Sequence, residues 1–425
     1  MKRIIAMILA VLMMATLFVG CGGDENAANG GATALEPEAG ATLKVWAPDA
    51  ALDVFKAQCD AFIAQYPDAG IKIEVVAQGE GDAAAQVLND PEAAADVFSF
   101  ACDQLNKLND AGVIMPVNTT LLDDVVARNS EYSVQAGTLP FNGTDTLLAY
   151  PETGDNGYFL YYDKSVVSDE DAKTLEGVFE ACRKANKKFI MDAGNGFYAC
   201  MFPFTGGLKI EGLEGEDNDV QKFNDYDEAE VVATLEAFAK LFHEYDDIFE
   251  SGEVAKIPSG FALEERTLAA GIDGSWDAAA IKNGLGDDFG AVKLPTINVN
   301  GEAKPIVSLH GYKLLGVNAQ SKFPNAAQLL ANYLSDEECQ LERAEKLSWG
   351  PSNNVAAESE VAKNDPAISA ALAQSANSIP QINISGTFWD PMGNLGNNLF
   401  KEDAKYDTAT LTALLDKTIA NVRDE

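Results

Sequence analysis

Histidine is nearly missing from this chain: His243 and His310 are the only two in 425 residues. None of the six cysteines forms a Cys-x-x-Cys pair, so a zinc site of the usual ligand spacing is excluded. There is no Gly-x-Ser-x-Gly elbow, no His-Glu-x-x-His and no Walker loop. Neither histidine lies near a recognisable nucleophile, so acyl transfer lacks its usual residues. Gly79-x-Gly81 and Gly194-x-Gly196 want a third glycine and read as tight turns, and Glu216-Asp217-Asn218-Asp219 lacks the spacing of a calcium loop. Positive charge is short as well, with 30 Lys and Arg against 66 Asp and Glu and a net charge of −36. Such a surface repels phosphate backbones, which argues against a nucleic-acid partner and disfavours anionic ligands. Neutral and cationic ligands stay open, as does a glycosidase carboxylate pair on composition alone.

What is present is the balance of a globular protein, 47% hydrophobic and 23% charged, with length for two ordinary domains or one large one. Met1-Lys2-Arg3 and the apolar run at residues 4–19 lead into Gly20-Cys21, which fits a secretory signal over residues 1–20 better than a membrane span. Leu17-Phe18-Val19-Gly20-Cys21 resembles a bacterial lipobox, which would make Cys21 the lipid-bearing residue. Residues 21–42, rich in Gly, Ala, Asn and Glu, then read as a flexible tether spanning about 25 Å. For the five remaining cysteines, Cys59, Cys102, Cys182, Cys200 and Cys339, disulfides stay open outside the cytoplasm, with at least one thiol left free by the odd count, and isolated buried thiols are the preferred reading.

From Leu43 onward the pattern alternates. A strand over 43–46, a helix over 50–65, a strand over 71–76, a helix near 83–89 and a strand over 95–100 imply a parallel α/β sheet. In the first helix Leu52, Phe55, Cys59 and Phe62 recur at three and four residues, the mark of one buried face. A second α/β region follows Tyr150-Pro151, with a strand over 159–162, a helix over 228–245 and a final helix over 408–422. No internal repeats occur.

The aromatic residues are the informative ones. A sugar ring offers apolar C–H faces and a rim of hydroxyls, and is bound by flat aromatic platforms with carboxylates and amides beside them. Three of the four tryptophans, Trp46, Trp276 and Trp389, lie beside turn or polar residues, each with an Asp within three positions.

At these residues the chain resembles the family 1 extracellular solute-binding proteins of ATP-driven importers, and among them the maltose and maltodextrin-binding group. The resemblance is carried by Leu43-Lys44-Val45-Trp46, by Ala95 through Asp103, and by Leu148-Ala149-Tyr150-Pro151 with Leu160 through Lys164. Gly271 through Trp276, and Ile379-Pro380-Gln381 with Phe388-Trp389, complete it. It implies an α/β fold of two lobes, each a mostly parallel sheet flanked by helices, with the ligand in the cleft between them. The lobes would take residues 43–152 with 296–334, and 153–295 with 335–425. It implies Trp46, Phe100, Trp276 and Trp389 as platforms, together with Phe197 or Tyr198, which both fall where the family has a ring-stacking tyrosine and of which Tyr198 is preferred, with Asp49, Glu80, Asp103, Gln104, Asp155 and Asp390 as hydrogen-bonding partners. Gln104 stands where the best-known members carry a basic residue. The resemblance also implies a monomeric, lipid-anchored receptor outside the cell membrane that delivers malto-oligosaccharides to a membrane permease, with no cofactor, no metal and no chemistry on the ligand. A receptor for another neutral oligosaccharide or polar solute and a secreted glycosidase are the other readings.

Overall fold

The computed structural model describes residues 35–214, 220–252, 254–262, 266–401 and 404–424. The expected signal peptide, Cys21 and the tether up to residue 34 lie outside them. The tether's last residues are not free. Leu35 packs on a hydrophobic core, and the Glu38 carboxylate accepts hydrogen bonds from the backbone N–H groups of Asn325 and Ala326 at 2.9 and 2.8 Å. A carboxylate is favoured there because the first N–H groups of a helix have no partner inside it.

Strand β1 (Thr42–Ala47) buries Leu43, Val45 and Ala47 on one face. Helix α1 (Leu52–Gln65) covers that face through Phe55, Cys59 and Phe62, the spacing seen in the sequence. Strand β2 (Lys72–Ala77), helix α2 (Ala83–Asn89) and strand β3 (Val97–Ala101) follow, and β1 pairs in parallel with both β2 and β3.

Strand β4 (Ala149–Asp163) is fifteen residues long, far more than the apolar stretch 159–162 suggested. After it come β5 (Lys188–Met191), helix α3 (Glu228–Glu244), β6 (Phe249–Ser251), β7 (Leu268–Gly274), β8 (Phe289–Val292) and β9 (Ser308–Val317). Helices α4 (Pro324–Leu334) and α5 (Glu337–Leu347), strand β10 (Ser378–Pro380) and helices α6 (Trp389–Phe400) and α7 (Thr408–Asp424) complete the frame.

The ten strands form one sheet in the order β6-β5-β7-β4-β9-β3-β1-β2, with β8 added to β4 and β10 to β9. Each end is a parallel three-stranded wing. The wings are joined by the antiparallel pair β4–β9. The first half of β4 pairs with β9, whereas its second half pairs with β7 and β8, so β4 carries the chain from one wing to the other. Each wing has its own core, one around Phe55, Leu330 and Trp349, the other around Phe179, Phe238 and Met392.

Helix α5 departs from the expected division, which put everything after residue 335 in the second lobe. Its Arg343 donates to Gln58 of α1 at 2.9 Å, and Leu347 and Trp349 enter the first wing's core. The five described cysteines are all buried and unpaired.

Candidate functional site

The carboxyl ends of the parallel strands converge, and the turns that leave them build a cleft of about 520 Å³. The turn after β2 supplies Gly79, Glu80 and Gly81, and the turn after β3 supplies Asp103 and Gln104. From the other wing come Asn195, Phe197 and Tyr198 after β5, Trp276 after β7, and Trp389 at the start of α6. The two tryptophans and Phe197 are half-buried, and Phe197 and Trp276 have ring centroids 6.0 Å apart.

Six expected site residues line this cleft: Glu80, Asp103, Gln104, Tyr198, Trp276 and Trp389. Their roles differ. Gln104 spends its amide on the chain, accepting from the Ala84 N–H at 3.1 Å and donating to the Glu80 carbonyl at 2.8 Å, so it braces the turn before α2. Tyr198 is only 2% exposed, its hydroxyl donating to Asp273 at 3.4 Å, and Phe197 presents the more open ring.

The other five lie elsewhere. Phe100 cannot be a platform: strand alternation turns it into the core, where it is fully buried against Phe98 at 5.5 Å. Trp46, on the β1 face opposite Val45, packs on that same cluster and does not line the cleft. Asp49 is exposed in the short turn before α1 and is also absent from the lining. Asp155 is buried beside the cleft, accepting from the Gly350 N–H at 2.6 Å. Asp390 lines an adjoining hollow instead.

Sequence reasoning missed Lys313, Asn156 and Gln381, which form the floor, with Lys107 and Val254 at the sides. Asn156 donates to Gln381 at 3.1 Å, linking β4 to the turn after β10. Lys313 sits in β9 at 2% exposure. Its ammonium is 2.7 Å from the Glu80 carboxylate, 5.5 Å from the Trp276 ring and 4.7 Å from that of Trp349. An apolar strand gives no sign of such a lysine.

Buried acids surround it. Burial pushes the Glu152 carboxyl up to about 7, with Arg343 and Lys313 pulling the other way and Ser99 donating a hydrogen bond at 2.5 Å. Burial also raises Asp155, against the Gly350 N–H and Lys313, and raises Asp103 to about 6 against the pull of Lys107. Burial, reinforced by Asp277, raises Asp273 well above the carboxylate range. For Lys313, burial opposes the charge but Glu80, Asp155 and Glu152 outweigh it, so the ammonium is held above its ordinary value. One Oδ or Oε oxygen of each of Asp103, Glu152, Asp155 and Asp273 is buried without a hydrogen-bond partner. Among the described residues no cluster of three or more His, Cys, Asp or Glu is placed to hold a metal ion.

Aromatic walls over a floor of two amides and a buried lysine, with the Asp103 carboxylate beside them, can stack flat, hydroxyl-rimmed molecules and hold their polar edges.

Comparison with known proteins gives the same picture. The profile of the bacterial extracellular solute-binding proteins matches residues 57–370. A maltooligosaccharide ABC transporter solute-binding lipoprotein of Streptococcus pneumoniae is 26% identical over 277 residues, a match covering 61% of this chain and 63% of that protein. The matched region is thus less than two thirds of that relative's length. Among solved structures, one determined with acarbose superposes with a TM-score of 0.79 at 26% identity, covering 90% of this chain and 98% of the other. The Thermus thermophilus maltotriose-binding protein superposes at 0.74 and 20% identity, covering 90% and 99%.

Proposed function

The chain belongs to the bacterial extracellular solute-binding protein family, a family of binding proteins and not of enzymes, and from that premise we propose that it captures malto-oligosaccharides for an ATP-driven importer. The observation that carries this reading is the cleft itself, with Phe197, Trp276 and Trp389 as walls and Asp103, Asn156 and Gln381 beneath them. A chain with net charge −36 suits an uncharged, hydroxyl-rich ligand better than an anionic one, and in the cleft the two carboxylates, Glu80 and Asp103, are matched by two ammonium groups, Lys107 and Lys313. The names of the relatives support the α-linked glucan class.

In this reading Trp276, Trp389 and Phe197 stack on sugar rings while Asp103, Asn156 and Gln381 bind hydroxyls. Glu80, Gln104 and Asp155 act mainly by fixing the backbone around them. The ligand touches both wings, so it stabilises the form in which they close on it, as in the hinge closure of periplasmic binding proteins. That form is the one a membrane permease recognises. A monomer, tethered outside the membrane by a lipid on Cys21, completes the proposal.

A binding screen with trisaccharides of different linkage tests it. Saturable binding of maltotriose with no binding of cellotriose or xylotriose supports the assignment. Preference for either β-linked chain replaces the ligand while leaving the receptor role, and release of reducing sugar from any chain overturns the role itself.

A further inference from the structure

Two carboxyl groups flank Trp276 in the chain and meet across the turn that carries it. Asp273, near the end of β7, is fully buried, and Asp277 directly follows the tryptophan. The turn is pinned from β4: Tyr161 donates to the Gly274 carbonyl at 2.9 Å, and Ser275 donates to the Asp155 carbonyl at 3.1 Å. The Trp276 ring lies directly on Gly274, where a Cβ would overlap three of its ring carbons.

The Oδ1 of Asp273 accepts from the Gly274 N–H at 2.7 Å and from the Tyr198 hydroxyl at 3.4 Å. Its Oδ2 is buried and has no donor among the described residues. A bare buried carboxylate oxygen is costly, and a proton on it removes that cost. Asp277 stands at the N-cap of the helix Ala278–Leu285, yet its carboxyl accepts none of that helix's free N–H groups. It lies instead within hydrogen-bonding reach of Asp273. Burial raises both acids, Asp273 well above the ordinary range, so the proton belongs to Asp273. Lys313 of β9 pulls on Asp277, but its ion pair is with Glu80. Tyr161 and Asp155 from β4, and Tyr198 from the turn after β5, add no positive charge.

We propose that Asp273 and Asp277 share one proton in a carboxyl–carboxylate hydrogen bond, and that this bond makes them positioning residues for the Trp276 platform. This rests on the oligosaccharide reading above. A hydrogen bond to an ionised acceptor is a strong one, whereas two ionised carboxylates would repel each other and open the turn. The indole rests on Gly274 inside the closed turn, so the span between the two acids sets how the ring stands in the cleft.

The test is calorimetric titration with maltotriose of the wild type, Asp273→Ala, Asp273→Asn, Trp276→Ala and the double variant Asp273→Ala with Trp276→Ala, each checked for folding by circular dichroism. Asp273→Ala is expected to weaken binding roughly tenfold, the size of one lost buried hydrogen bond. Asp273→Asn, whose amide donates to Asp277 as the acid does, recovers most of that loss. With Trp276 already removed, loss of Asp273 has no further effect on affinity, because it acts through that ring. Should Asp273→Ala not fold, Asp277→Ala, at the more exposed end of the pair, takes its place in the same cycle. Wild-type affinity in the folded alanine variant, or a further loss in the double variant, overturns the positioning role, and an asparagine variant as weak as the alanine one overturns the shared proton. Each of these leaves the oligosaccharide reading standing. Absence of maltotriose binding by folded wild type overturns that reading and the positioning role with it.

Discussion

The Lys313 ammonium and the Glu80 carboxylate lie 2.7 Å apart, and the pair ties the central strand β9 to the turn after β2. Their side chains are 3% and 13% exposed, and the lysine also faces the rings of Trp276 and Trp349. One buried cation therefore touches the first wing, the joining strands and a platform of the second wing.

Removing that cation leaves Glu80 and Asp155 without their positive neighbour, and Glu152 with Arg343 alone. Lys313→Met is expected to cost about 3–5 kcal/mol, because breaking a buried pair strands the surviving charge. Lys313→Met combined with Glu80→Gln is expected to recover part of that loss. Chemical denaturation of the wild type, both single variants and the double variant measures the coupling.

Phe100 and Trp276 separate packing from binding. Phe100→Ala empties a fully buried site and is expected to cost about 3–5 kcal/mol of stability. Trp276→Ala removes a cleft wall and is expected to weaken sugar binding by about 10- to 100-fold, a loss typical of a buried aromatic anchor. Thermal melts and titrations of both variants distinguish the two roles. Substantial weakening of binding by a folded Phe100→Leu would return that ring to the site.

Glu152 makes stability depend on pH. Its folded-state value of about 7 lies above the ordinary 4.5, so between those limits the folded protein holds a proton that the unfolded chain has released. Stability contributed by this group is full below pH 4.5 and is lost as pH rises towards 7, with a slope of at most about 1.4 kcal/mol per pH unit. Glu152→Gln, which cannot ionise, is expected to flatten the profile in that window and to raise the melting temperature at pH 8. Denaturation midpoints from pH 4 to 8 check both.

Much of the frame was legible where periodicity is strong. The spacing of Phe55, Cys59 and Phe62 located α1, and the run from Val231 to Phe242 located α3. Strand β4 was harder, because residues 151–157 are mostly polar and the apolar stretch that marks a strand begins only at 159. They extend instead because each finds a partner: Glu152 from Ser99, Asp155 from the Gly350 N–H, Asn156 through Gln381. Such partners are 53, 195 and 225 residues away, and no local pattern records them. The site divides in the same way. Trp276 after β7 and Trp389 at the start of α6 stand next to aspartates, and both line the cleft, whereas Phe100 and Trp46 do not, because a strand's alternation, not its composition, decides which face a ring occupies. Lys313 gave no signal, since its charge is offset by acids that only the fold assembles.

The most direct test of the central claim is isothermal titration of the mature chain with maltotriose, repeated on Trp276→Ala. Saturable one-to-one binding in the micromolar range, weakened at least tenfold by the substitution, is the predicted result. No heat from maltotriose or longer maltodextrins in folded protein, or binding that Trp276→Ala leaves untouched, would contradict the account.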